Sequence, residues 1–468
     1  MSAHDTELLL YALLAIAGIV ILITVAKVHA FLALTAGSLF VGLIAGHGAA
    51  KTVTSFENGV GSTLGYVGVI VALGTMLGKL LAESGGAQQI AETVLRASGV
   101  RRVPWAMALI AMLVGIPLFF EIGVVLLLPI IFTMARQVEA TREAAGRSGP
   151  GAMALGAATS SYLLVGIPAL AGLSVLHGLV PPHPGPLTAI NALGASLGTT
   201  LFYGLVIAVP TVIIAGPLFG TWIARRVHPE PSEELLETIA TERKYENPPS
   251  FPLTLFTILL PVALMLIRTV VDVVRQKPST VKSVADFIGD PVVALLVAVF
   301  FAMWAFGFAR GLDKSKVSQF VGAALAPAAG ILLIIGAGGG FKQVLVDSGI
   351  GSAIAKAAEH TGLSVLVVAW LVAVLIRLAT GSATVATVTA AGIVVPLVTA
   401  HPGTNRPLVA LAVGCGSLFF SHVNDAGFWL VKEFFGMTVR QTIESWSVME
   451  TIVSVVGFLL VLALSTVV

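Results

Sequence analysis

The chain has 468 residues, of which 57% are hydrophobic and only 11% are charged, and its formal net charge is +2. Because soluble proteins carry about 25% charged residues, this composition excludes a soluble protein and predicts an all-α polytopic membrane protein surrounded by lipid. The lysines and arginines are scattered between apolar runs, which argues against nucleic acid as a partner.

Apolar runs follow one another along the whole chain. A spanning helix needs about 20 mostly apolar residues. Runs of this kind lie near residues 8–26, 30–46, 64–82, 103–120, 122–136, 160–180, 194–222, 251–270, 290–308, 321–341, 362–379, 384–399, 408–422 and 447–467. Two neighbouring pairs, 103–120 with 122–136 and 362–379 with 384–399, meet at polar or glycine-rich points, as the arms of re-entrant hairpins do. We therefore predict about 11 or 12 transmembrane helices and two re-entrant helical hairpins.

A long polar stretch divides the chain near its midpoint. It predicts an N-terminal transmembrane repeat over 1–225, a polar central loop over 226–250 and a C-terminal transmembrane repeat over 251–468. The halves share one series of residues in the same order, namely Lys79, Glu83, Ser84, Gly85, Ile90, Ala91, Gly99 and Trp105 in the first and Lys342, Asp347, Ser348, Gly349, Ile354, Ala355, Gly362 and Trp370 in the second. Such an internal repeat is typical of a transporter built from two related halves, with its site where their polar breaks meet.

Glu121 is an acidic residue inside an apolar run, Gly115 to Pro129. An ionised carboxylate at this depth is costly, so Glu121 should face a polar cavity, pair with a cation from another helix, or carry a proton. Alternatively, the acid caps a half-helix that begins at Ile122, because a negative charge is favourable at a helix N-terminus. Glu121 is therefore a candidate for proton coupling.

The segment from His177 to Pro186 contains four prolines, two glycines and two histidines within an apolar region. A backbone that cannot stay helical at this depth is tolerated only where it is buried in protein or lines a water-filled cavity. His177, His183 and Gly185 are therefore candidate substrate contacts. The histidines are expected to serve hydrogen bonding or proton transfer. No metal is expected, because no HExxH or other close ligand pattern accompanies them.

Arg377 ends an apolar run and precedes a segment rich in threonine and serine around Gly381. A guanidinium can bind a carboxylate through two hydrogen bonds, and the hydroxyls of Ser382 and Thr384 suit a polyhydroxylated solute. Two alternatives remain: Arg377 neutralises Glu121 or Asp425, or it extends to the membrane surface while the hydroxyls join helices.

A third polar island lies between Ser421 and Trp429. His422, Asn424 and Asp425 place an imidazole, an amide and a carboxylate within four positions. A helix cap explains Asn424 or Asp425, but it does not explain all three. All three are candidate substrate contacts, and Asp425 is a second candidate for proton coupling.

The chain shows no sequence motif for a nucleotide or another cofactor. The stretch from Gly74 to Lys79 is too short for a phosphate-binding loop, lacks the following serine or threonine, and lies inside an apolar run. A transporter without a nucleotide site must draw on an ion gradient, and buried Glu, Asp and His residues suit protons.

Taken together, these segments resemble the gluconate permease family of bacterial proton symporters, whose relatives carry sugar acids and, in one branch, D-serine. The resemblance extends from about residue 20 to the C-terminus. The matching stretches are Gly85–Gln88, His177–Pro186, Gly289–Pro291, Gly339–Gly349, Gly381–Ala386, Ser421–Asp425 and Gly427–Trp429. Phe120 and Ala426 depart from the tyrosine and the proline that the family pattern leads us to expect, and both departures bear on the recognition of substrate hydroxyls and so on the identity of the substrate.

The resemblance extends to the wider ion-transporter superfamily, which implies two inverted repeats whose re-entrant hairpins meet near the membrane midplane. It also implies proton-coupled uptake of gluconate, or of a similar small anionic substrate, across the bacterial cytoplasmic (inner) membrane. The alternative within the family is D-serine or another sugar acid. The substrate carboxylate would lie at half-helix N-termini near Gly381 and Gly185, with its hydroxyls at Ser382, Thr384 and Asn424.

Two other classes of protein fit the sequence less well. An intramembrane enzyme would need a nucleophile with its base, and neither GxSxG nor HExxH occurs. A channel would not concentrate its solute, so concentrative uptake distinguishes a symporter from it. The sequence does not determine the oligomeric state, for which a homodimer is the working hypothesis.

Overall fold

The structure, a computed structural model, describes residues 2–99, 102–146, 159–231, 247–274, 277, 279–359, 362–423 and 425–468. Within these ranges the regular structure is entirely helical. The protein is therefore an all-α membrane protein, as predicted. Most of the central polar loop, residues 232–246, lies outside the described ranges, and the division into 1–225, 226–250 and 251–468 stays a prediction.

The helices of the first half are α1 (Ala3–Thr24), α2 (Ala30–Ile44), α3 (Ala49–Glu83), α4 (Gly86–Ser98), α5 (Val103–Gly115), α6 (Phe120–Gly146), α7 (Ser161–Leu179), α8 (Pro184–Leu193) and α9 (Leu197–Ile223). Those of the second half are α10 (Phe251–Val274), α11 (Thr280–Ile288), α12 (Pro291–Arg310), α13 (Lys314–Ala323), α14 (Leu325–Asp347), α15 (Ile350–Glu359), α16 (Val365–Thr380), α17 (Ala383–Ala400), α18 (Arg406–Ser417), α19 (Ala426–Phe434) and α20 (Val439–Leu464).

Ten helical segments of the described chain are long and apolar enough to cross a membrane, with α7 and α8 forming one of them. Four shorter apolar helices, α2, α5, α16 and α18, accompany them. Each apolar run named from the sequence overlaps one of the helices, or two consecutive helices in the cases of 103–120 and 321–341. The expected 11 or 12 crossings and the re-entrant arrangement of the short helices stay predictions.

The repeated residues of the two halves adopt matching backbone conformations. Gly85 follows α3 with a φ of 77°, and Gly349 follows α14 with a φ of 78°. Gly99 after α4 and Gly362 after α15 have φ values of 69° and 66°. These left-handed conformations are strained for residues with a Cβ, so glycine is required at the equivalent helix ends of both halves. The match supports the internal repeat.

Two of the interruptions between helices in each half are important for the site, and we call these four the helix breaks. The first half is interrupted at residues 116–119, between α5 and α6, and at 180–183, between α7 and α8. The second half is interrupted at 381–382, between α16 and α17, and at 418–423 and 425, between α18 and α19. Proline explains the first two breaks and a left-handed glycine the third, since neither continues a helix.

The segment Ser161–Leu193, comprising α7 and α8, lies at the centre of the molecule. It is 94% buried over its apolar window, against about half for most of the other candidate spans. It meets α18 at a close crossing, because Gly414 lies directly against the carbonyl of Gly178. Glycine at both positions lets the two backbones approach, as small residues do in membrane helices. The crossing places the second break of the first half close to the second break of the second half.

Candidate functional site

A cavity of about 260 Å³ lies where the four helix breaks come together. Three of the breaks contribute residues within or directly beside them, and His177 in the last turn of α7 lines the cavity near the break at 180–183, so elements from both halves build the wall. Seven of the residues that the sequence singled out line it, namely Glu121, His177, Arg377, Gly381, Ser382, Thr384 and Asp425. Residues separated by up to about three hundred positions thus share one small polar space.

Glu121 lies in the first turn of α6, directly after the break at 116–119. Its side chain faces the cavity and is exposed there. Both sequence-based interpretations therefore apply to its position, because it lies at a helix N-terminus and also borders a polar cavity. Its role in proton coupling stays a prediction.

Arg377 and Asp425 form an ion pair in the wall of the cavity. Arg377 is only 3% exposed, and its Nη2 lies 2.5 Å from Oδ2 of Asp425. Its Nη1 donates to the carbonyl of Gly381, and its Nε has no partner among the described residues. The alternative in which Arg377 neutralises Asp425 is thus seen in the structure, while one guanidinium nitrogen remains for a further acceptor.

Asp425 also connects the ion pair with Arg377 to two aromatic side chains, Trp446 and Phe120. Its Oδ1 caps α19 by accepting from the backbone of Gly427 at 2.9 Å, and its Oδ2 also accepts from the Ser421 hydroxyl. That hydroxyl in turn accepts from Nε1 of Trp446 at 2.7 Å. The ring of Trp446 packs against that of Phe120, with centroids 5.3 Å apart and a tilt of 35°. The network holds α6, α19 and α20 in a fixed relation around the cavity.

Two helix N-termini point into the cavity from the second half. Ser382 caps α17, its side chain accepting from the backbone of Val385, and Asp425 caps α19. Ser382 and Thr384 also line the cavity with their neighbours. Helix N-termini present free N–H groups and positive partial charge, so this part of the wall favours an anion.

The two histidines of the proline-rich segment lie next to each other, with ring centroids 5.7 Å apart. His177 borders the cavity, whereas His183 is buried behind it and donates from Nε2 to the carbonyl of Gly115 at 2.9 Å. Within the described ranges, no group of three or more His, Cys, Asp or Glu residues is placed to hold a metal ion.

Two further predicted substrate contacts lie elsewhere, and a third is not among the described residues. Gly185 is buried against Thr387 of α17, outside the cavity wall. His422 donates from Nε2 to the carbonyl of Leu378 at 3.1 Å and is also absent from the wall. Asn424 lies outside the described residues.

The cavity contains polar residues that the sequence did not single out, namely Glu450 and Ser174, together with the indole of Trp446. Glu450 and Trp446 belong to α20, in which a π turn over Ile443–Ser447 precedes Glu450. Such turns are frequent at functional sites. The sequence did contain a signal for Glu450, which is an ionisable residue in the last apolar run. Such residues usually face the interior of a membrane protein.

The fold is similar to that of a solved membrane transporter. The crystal structure of the YdaH transporter of Alcanivorax borkumensis aligns with a TM-score of 0.58, over 93% of this chain and 98% of that one. The sequence identity is 16%, so the likeness concerns the fold alone.

Sequence comparison identifies closer relatives over the full length. A gluconate permease of Pseudomonas aeruginosa is 53% identical over 465 residues, covering 99% of both chains. The Gnt-II system L-idonate transporter of Escherichia coli is 41% identical and covers 94% of this chain and 95% of its own. The model of the GntP family permease matches residues 7–142 and 150–467. The chain thus belongs to the GntP permease family and is a multi-pass transporter of the bacterial cytoplasmic membrane, not an enzyme.

Proposed function

We propose that this protein takes up gluconate, or a similar small hydroxylated carboxylate, together with protons by alternating access. The names of its relatives support the substrate class, since one is a gluconate permease and another an L-idonate transporter. Both are sugar-acid carriers by name. The family pattern supports coupling to protons.

The composition of the cavity is the observation that carries the proposal. One guanidinium, from Arg377, and the N-termini of α17 and α19 favour a carboxylate at the same wall. The hydroxyls of Ser382 and Thr384 lie beside it and suit the hydroxyl groups of a sugar acid. The volume of about 260 Å³ suits a small solute, because sites for drug-sized ligands occupy about 300–1,000 Å³.

In proton-coupled transport, the protein must bind the proton and the substrate anion in the same conformation, and one of its groups must hold the proton. The cavity carboxylates that the sequence put forward are Glu121 and Asp425. A proton on either removes a negative charge beside the incoming carboxylate, and a proton on Asp425 would also loosen its hold on Arg377. The coupling group is therefore sought among the carboxylates of the cavity.

Uptake by the purified protein in proteoliposomes tests the function. Labelled gluconate should exchange with internal gluconate at equal pH, and an inward proton gradient should drive its accumulation. Unlabelled L-idonate should compete, whereas D-serine, which has an amine and a single hydroxyl, should not. Exchange of D-serine without exchange of gluconate would contradict the proposal.

A further inference from the structure

Glu450 is a buried carboxyl group at the wall of the cavity. It lies on α20 just after the π turn, and only 1% of its surface is exposed. Its Oε1 has no hydrogen-bond partner among the described residues, while the Ser174 hydroxyl of α7 lies beside the carboxyl group. A buried carboxylate without a full set of donors is costly, and an ionisable residue inside the membrane is a candidate for proton transfer.

The charges near Glu450 do not offset a negative charge on it. The charged groups that act on it are Arg377 and Asp425, and these are already paired with each other. Across the same cavity lie Glu121, which is acidic, and His177 of α7. Three further helices pack against α20. Cys415 of α18 lies beside Gly457, α9 carries no charged residue, and the lysine of α19, Lys432, pairs with Glu433 at 2.8 Å. Among the described residues, no cation therefore pairs with Glu450 alone.

We propose that Glu450 is the site that holds the transported proton, an inference that rests on the proposed function. In the outward-open state a hydronium ion in the cavity transfers its proton to the carboxylate, forming the O–H bond and leaving water. The substrate anion then binds at Arg377, opposite a neutral acid. After the cavity opens inward the anion leaves, the O–H bond breaks, and the proton returns to water.

Electrostatic repulsion couples binding of the proton at Glu450 to binding of the substrate anion. If Glu450 were ionised while the anion was bound, two negative charges would share a small cavity that already contains Glu121 and Asp425. Binding of the proton therefore strengthens binding of the anion, and by reciprocity the anion strengthens binding of the proton. A carrier with this property moves both ligands together, as symport requires.

The pH dependence of gluconate binding tests the assignment. For the wild type, the Kd should rise by roughly tenfold per pH unit above the titration of the proton site, the slope that linkage requires for one proton. Glu450→Gln mimics the protonated acid, so its Kd should become nearly independent of pH. The variant should still exchange gluconate but lose accumulation driven by a proton gradient.

Glu444→Gln is the matched control. Glu444 lies on the same helix, outside the cavity, and pairs with Arg440 at 2.7 Å. This variant should keep both the wild-type pH slope and the accumulation. The control separates loss of a particular carboxyl group from a general effect of the substitution on α20.

The outcomes distinguish this inference from the proposed function. If the wild type fails to exchange gluconate, the proposed function fails. If it exchanges gluconate but Glu450→Gln keeps the pH slope and the accumulation, the assignment to Glu450 is wrong. If sodium rather than protons drives wild-type uptake, the proton coupling in the proposed function fails as well. Should Glu450→Gln fold poorly, Glu450→Asp and infrared spectroscopy replace it. The spectrum of the wild type should contain a protonated-carboxyl band that shifts in Glu450→Asp, and an unshifted band would overturn the inference.

Discussion

Replacement of Arg377 by lysine tests whether this side chain binds the substrate carboxylate or only neutralises Asp425. The guanidinium binds Asp425 at 2.5 Å through Nη2 and the carbonyl of Gly381 through Nη1, and it keeps Nε without a partner among the described residues. A lysine ammonium is a single point of charge at the end of a flexible stem. It can reach Asp425 or Gly381, but it cannot also present a second nitrogen to a substrate carboxylate.

The size of the effect follows from the contact that is lost. A hydrogen bond to a charged group is worth about 1.5–3 kcal/mol. Since each 1.4 kcal/mol is about tenfold in affinity, gluconate should bind about 10- to 100-fold more weakly to Arg377→Lys. If Arg377 only neutralises Asp425, the retained charge should leave the affinity nearly intact and move the pH optimum of transport instead.

Direct binding of labelled gluconate to protein in detergent, at several pH values, measures this difference without involving transport rates. The melting temperature of the same sample shows whether the variant is folded. A folded Arg377→Lys protein with the wild-type Kd would refute the assignment of Arg377 to the substrate carboxylate. A weaker Kd with an unchanged pH optimum would support it.

Two further predictions concern the frame of the site. Gly414→Ala should destabilise the protein by about 1–3 kcal/mol, because the added Cβ would collide with the backbone carbonyl of Gly178. Gly185→Ala is the control and should have little effect on the melting temperature, since its Cβ would make only ordinary contacts. Equal melting temperatures of the two variants would contradict this prediction. Ser421→Ala should lower stability by about 1–3 kcal/mol and change the fluorescence of Trp446, because the buried indole loses its acceptor; an unchanged spectrum and melting temperature would contradict this.

Local patterns in the sequence predicted much of the architecture. Hydropathy located the apolar helices, because each must satisfy its backbone internally and expose apolar side chains to lipid. Interruptions of that pattern located the breaks, since prolines near 181 and glycine at 381 cannot continue a helix. Seven predicted site residues border one cavity for the same reason: polar side chains at membrane depth are retained mainly where a cavity needs them.

The sequence could not show which polar residues face each other. Glu450 and Trp446 belong to a run that reads as an ordinary terminal span, and only the packing of α20 against α7 and α18 brings them to the cavity. The pairing of Arg377 with Asp425 likewise joins residues 48 positions apart. Such contacts depend on helix rotation and crossing, which hydropathy does not specify.

Two of the histidines predicted as site residues lie outside the cavity, and they show why the role of a polar residue near a helix break is ambiguous in the sequence. His183 donates to the carbonyl of Gly115 at the end of α5, and His422 donates to the carbonyl of Leu378 in the last turn of α16. The last carbonyls of a helix have no partner within the helix, and lipid cannot supply one. In each half, a histidine from the break of one helix therefore satisfies the C-terminal end of another. A helix break at membrane depth needs polar groups to bind its own backbone as well as any ligand. Only the direction in which each side chain points shows whether it binds the backbone or faces the cavity.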